Sequence, residues 1–178
     1  MSRASRGFTL IELLIVVAII GIVAAIAVPG LLRAKITANE ASAVGALKAI
    51  NSGQAAYASS CGRTGYATNL ADLVLAPSGS VGFLSPDLSS NGVVKSGYTV
   101  SLGAGLNPQT VTAAANTCNG SSGNAMNVYF AAADPTAFGS SGTRHFGTDE
   151  RATVFQNTAD VALTNATLVA NGTVSTVQ

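Results

Sequence analysis

Charge, histidine and cysteine are scarce in this 178-residue chain. Only 10% of its residues are charged, against 48% hydrophobic, which excludes both a disordered polyelectrolyte and a highly charged nucleic-acid binder. Removing the short basic start, with Arg3 and Arg6, leaves seven basic side chains against eight acidic ones, a net charge of −1, so the basic footprint that nucleic acid requires is absent. With one histidine, His145, and two cysteines, Cys61 and Cys118, a Cys/His metal cluster is out of reach. In an exported domain the two cysteines are expected to form one disulfide, which by the chain-entropy argument stabilises the fold by about 4 kcal/mol. Two free thiols are the other use.

What the chain has in abundance is one apolar run. Phe8 to Leu32 is almost wholly apolar, and as a helix it spans about 37 Å, enough for a hydrocarbon layer of about 30 Å. Two arginines and no acid precede it, so the positive-inside rule places the N-terminus in the cytoplasm and the remainder outside. A secretory signal peptide also fits a basic start, an apolar run and the small-residue triplet Ala25-Ile26-Ala27. That reading leaves Glu12 without a purpose. A carboxylate in hydrocarbon costs about 2.5–3.5 kcal/mol on insertion scales, so its presence calls for a cation at the same depth.

The stretch "GFTLIELLIVVAIIGIVAAIAVPGLL" resembles the N-terminus of the type IV pilins: a short basic leader ending in Gly7, then Phe8, with glutamate fifth after that glycine. The resemblance implies cleavage between Gly7 and Phe8 by a prepilin peptidase, methylation of the new amine, and pairing of the Phe8 amine with Glu12 of a neighbouring subunit. A well-formed pair in an apolar bundle is tolerable where a lone charge is not, and it sets axial register. Gly21 and Pro29 bracket the weakest part of the helix, because glycine lowers helix propensity by about 1 kcal/mol and proline withholds a hydrogen bond from the Ala25 carbonyl. In the resembled family this stretch can unwind and lend the filament extensibility; a simple kink is the plainer reading.

Helical spacing persists past Leu32 in Ile36, Val44, Leu47, Ile50 and Tyr57, with Arg33, Lys35, Glu40 and Lys48 forming a polar side. A helix to about Ser59 would be roughly 78 Å long. "SSCGRTG" should end it, with Gly62 as C-terminal cap. "TNLADLVL" predicts a short helix capped by Thr68 or Asn69, and "GYTVSLG", "AMNVYFAAA", "TRHFG" and "RATVFQ" predict strands. The expected fold is α+β: a long N-terminal helix, half membrane-spanning and half amphipathic, packed against a C-terminal antiparallel sheet of about four strands. The expected divisions are a leader at 1–7, a transmembrane or filament-core half at 8–32, an amphipathic half at 33–60, and a globular β-sheet domain with a C-terminal tail at 61–178. That tail, from Asn157 to Gln178, adds an extra strand or lies across a filament surface.

Candidate chemistry is thin. His145, Asp149 and Glu150 are close in sequence, yet strand neighbours point to opposite faces, and a turn explains "GTDE" more simply. The ten aromatics, Phe8 and Phe138 among them, sit where a core would be filled. Glycosylation triplets occur at Asn119, Asn165 and Asn171. No catalytic role, cofactor or metal is expected. The resemblance implies a homo-oligomeric helical filament, with an assembly ATPase and inner-membrane platform as partners. The precursor would reside in the bacterial inner membrane and the assembled form in an extracellular pilus. The alternatives are a pseudopilin of a type II secretion system and a membrane-anchored binding module.

Overall fold

The computed structural model describes residues 7–169 and 171–177; the leader residues 1–6, with Arg3 and Arg6, lie outside the described residues. The elements are α1 (Leu10–Ser60), α2 (Leu70–Val74), β1 (Val93–Lys95), β2 (Tyr98–Ala104), β3 (Thr110–Thr112), β4 (Ala125–Met126), β5 (Tyr129–Pro135), β6 (His145–Asp149), β7 (Val154–Asn157) and β8 (Val174–Thr176). Two compact units divide between Lys35 and Ile36.

In the first unit every described side chain is exposed, and the helix passes through Gly21 and Pro29 without interruption. By length and composition it could cross a membrane.

In the second unit, the helix buries Ala43, Ala46, Leu47, Ile50, Gln54 and Tyr57, a stripe at spacings of three and four. This stripe joins Tyr98, Val100, Leu102, Tyr129, Ala131, Ala133 and Phe146 of the sheet in one core. Each such Leu or Phe, fully buried, contributes about 1.5–3 kcal/mol. The expected α+β architecture of long helix against antiparallel sheet is present, but with more strands. Six strands form one antiparallel sheet in the order β1-β2-β5-β6-β7-β8, and β3 pairs with β4 separately. The register runs through Tyr98↔Pro135, Ala133↔Phe146, Thr148↔Val154 and Phe155↔Thr176. The unforeseen β1 and β3 are three residues each, too short for alternation to be legible.

The C-terminal tail both adds β8 and roofs the second face of the sheet. Leu163, Leu168 and Val174 bury themselves with Phe155, and Phe130 packs on them. All five residues of β6 are therefore buried, in contrast to the one-faced alternation of a half-exposed strand. Among the aromatics, Phe8 and Phe138 are exposed and belong to no core.

The end of α1 departs from the expected glycine cap. The left-handed residues are Arg63 and Thr64, with φ of 50° and 75°, and the Thr64 N–H closes back to the Ala58 carbonyl at 2.8 Å. Gly62 is required for space instead. A Cβ there would lie 2.1 Å from the Gly65 carbonyl oxygen and 2.7 Å from the Tyr57 ring. Next to it, Cys61 and Cys118 are joined by a disulfide. Asn69, of the two expected caps, accepts from the Asp72 N–H to start α2.

Candidate assembly interface

The first helical turn is built from Thr9-x-x-Glu12. The Thr9 N–H and hydroxyl donate to Glu12 Oε2 at 2.9 and 2.7 Å, and the Glu12 N–H points back to Thr9 Oγ1 at 3.3 Å. This is a capping box, which satisfies N–H groups that a helix start otherwise leaves unpaired. Glu12 thus has a partner inside its own chain, a role whose visible signal, a threonine three residues before a glutamate, went unread in the sequence. Only Oε2 is engaged; Oε1 accepts no hydrogen bond among the described residues.

Gly7 and Phe8 immediately precede this cap, and Phe8 is 81% exposed. From Leu10 to Leu32 no large apolar side chain is covered. An apolar surface of this extent, far beyond the few hundred Å² a monomer tolerates, marks contact with lipid or protein. Gly21 and Pro29 lie within it, and a Cβ at Gly21 would meet nothing within 4 Å.

The other singled-out residues belong to the second unit. Glu40, expected on the polar face, is buried: its carboxylate accepts from the Thr143 N–H and hydroxyl, both at 2.9 Å, and from Arg144 Nε at 3.0 Å. Burial pushes the Glu40 pKa up, but these hydrogen bonds and the Arg144 charge outweigh it, and the net shift is downward. Asn51 works similarly, donating to Thr148 Oγ1 at 3.0 Å and to the Ala152 carbonyl while accepting from Tyr129 Oη at 2.9 Å. Gln54 pairs both its amide ends with the backbone of Ala67, at 2.7 and 2.9 Å. These polar anchors were invisible in sequence because their partners lie far along the chain or on the backbone.

His145 does not join Asp149 and Glu150 in a site. Its Nδ1 faces Asp134 at 2.7 Å, whereas Asp149 binds Arg151. Among the described residues no His, Cys, Asp and Glu grouping suited to a metal is present.

Residues 2–28 match the family described as "Prokaryotic N-terminal methylation motif". The chain is 49% identical over 53 residues to the type IV major pilin protein PilA of Myxococcus xanthus, covering 30% of this chain and 24% of that protein. It is 60% identical over 38 residues to the type IV wide pilus major component PilA4 of Thermus thermophilus, covering 21% of this chain and 29% of that protein. The chain thus matches about a quarter of the length of these relatives. No solved structure matches it significantly. The N-terminal segment of this chain thus carries the methylation motif and is similar there to type IV major pilins.

Proposed function

We propose that this chain is a structural, non-enzymatic subunit of a type IV pilus. A prepilin peptidase would cut between Gly7 and Phe8 and methylate the new amine. The subunit would wait in the inner membrane and then polymerise through its N-terminal helix into an extracellular filament, driven by an assembly platform and its ATPase. The observation that carries the reading is the uncovered apolar helix surface from Leu10 to Leu32, led by a capped carboxylate whose Oε1 accepts no hydrogen bond among the described residues. Lipid covers that surface before assembly and sister helices cover it after. Glu12 Oε1 is available to the Phe8 amine of a neighbour, and the Gly21–Pro29 stretch is the part that yields under tension. Both relatives are named as pilus components, which favours this reading over a secretion-system pseudopilin.

The test is the N-terminal peptide mass of protein sheared from the cell surface. The expected peptide begins at Phe8 and is heavier by one methyl group. A peptide beginning at Val28 would make the helix a discarded signal peptide and end the proposal.

A further inference from the structure

The dipeptide Asn-Gly occurs at Asn91-Gly92, Asn119-Gly120 and Asn171-Gly172. A glycine leaves its amide nitrogen unhindered next to the preceding side-chain amide. The fold treats the three pairs unequally. Asn91 donates to the Leu102 carbonyl at 2.7 Å and accepts from the Leu70 and Leu102 N–H groups. Asn119 donates to the Asp72 and Leu75 carbonyls at 2.7 and 3.1 Å and accepts from Ser121 Oγ. Asn171 is exposed, and its Nδ2 has no hydrogen-bond partner among the described residues. Its Oδ1 accepts from Thr173 N–H, Thr173 Oγ1 and Val174 N–H at 2.9, 3.2 and 2.9 Å. Those donors draw electron density from the side-chain carbonyl, so Cγ is electrophilic while the leaving nitrogen is unrestrained.

We infer that Asn171 is a site of spontaneous deamidation, and that its isoaspartate product unfastens the C-terminal strand from the sheet. The Gly172 nitrogen gives its proton to solvent and forms a bond to Asn171 Cγ. The Cγ–Nδ2 bond breaks, and Nδ2 takes up a proton and leaves as ammonia. Water then opens the cyclic imide at either carbonyl, giving aspartate or isoaspartate; nothing is oxidised or reduced.

The two products differ in consequence. Aspartate keeps the backbone and the oxygen acceptors of the turn. Isoaspartate routes the backbone through the side-chain carbon, so the bond from Asn171 N–H to the Val174 carbonyl, 2.8 Å, and the bonds to Oδ1 no longer fit one turn. Val174 opens β8 and is buried with Phe155, Leu163 and Leu168, so losing this turn frees both the strand and its anchor.

The experiment is peptide mass mapping of the full-length protein held in detergent at mildly alkaline pH, with an isoaspartate methyltransferase assay. Asn171 is expected to convert about tenfold faster than Asn91 or Asn119, because the bonds that hold those two amides must first open. In urea the three rates should converge. Equal native rates would overturn the inference. Gly172→Ala should slow conversion at this site alone, since a Cβ there meets nothing within 4 Å and the fold tolerates it; an unaffected rate would also overturn it. Amide exchange at residues 174–176 should rise in the isoaspartate fraction and not in Asn171→Asp. Unchanged exchange in the isoaspartate fraction would refute the strand release.

Discussion

Glu12 has two oxygens, and among the described residues only one of them accepts hydrogen bonds. The cap and the intersubunit pair are therefore separable by substitution. Glu12→Gln keeps a carbonyl for Thr9 but removes the charge, whereas Glu12→Ala removes both. Both variants are expected to lose filaments, scored by the mass of sheared pili, while only Glu12→Ala frays the helix start in circular dichroism. Wild-type filament yield from Glu12→Gln would assign the residue to capping alone. Glu40 makes a different prediction. Its pKa in the folded state lies below the ordinary 4.5, so its contribution is complete at higher pH and disappears as pH falls from about 4.5 through the folded value. Acid titration of stability should show this loss, and Glu40→Gln should remove it. Glu40→Ala, which leaves the Thr143 N–H and hydroxyl without this acceptor, is expected to cost about 1–3 kcal/mol in urea unfolding. The capping box went unread although its signal, Thr9-x-x-Glu12, lies within four consecutive residues. Glu40 was misread as a solvent-facing charge because its partner Arg144 lies 104 residues away.

At the scale of elements, α1 and the longer strands β2, β5, β6 and β7 were legible because periodicity and turn residues bound them. The three-residue β1 and β3 were not, and neither was the two-faced burial of β6, which depends on the tail folding back over the sheet. The proposed extensible stretch belongs to this scale. Proline costs a helix interior about 3 kcal/mol relative to alanine. Pro29→Ala restores an N–H opposite the Ala25 carbonyl, and filaments carrying it are expected to lengthen less under a given pulling force in an optical trap. Identical extension would remove Pro29 from the account of extensibility.

In the whole molecule, the disulfide closes a separation of 57 residues and reinforces a loop that is also held by hydrogen bonds. Asp72 accepts from the Ser122 N–H and hydroxyl at 2.7 and 3.0 Å and from the Gly123 N–H at 3.1 Å. Reduction is expected to lower stability by about 4 kcal/mol, read as a shift in urea midpoint with and without reductant. An unchanged midpoint would mean that the Asp72 hydrogen bonds hold the loop unaided. The same long reach governs the birth of the protein. Asn39 bonds to Ser141 across 102 residues, Glu40 to Thr143 across 103, and Asn51 to Thr148 across 97. A ribosome adding about 5–20 residues per second makes the inner face of α1 roughly 5–20 s before the chain that covers it. Throughout that interval the face that the sheet will cover is on offer to any chaperone or translocon surface within reach.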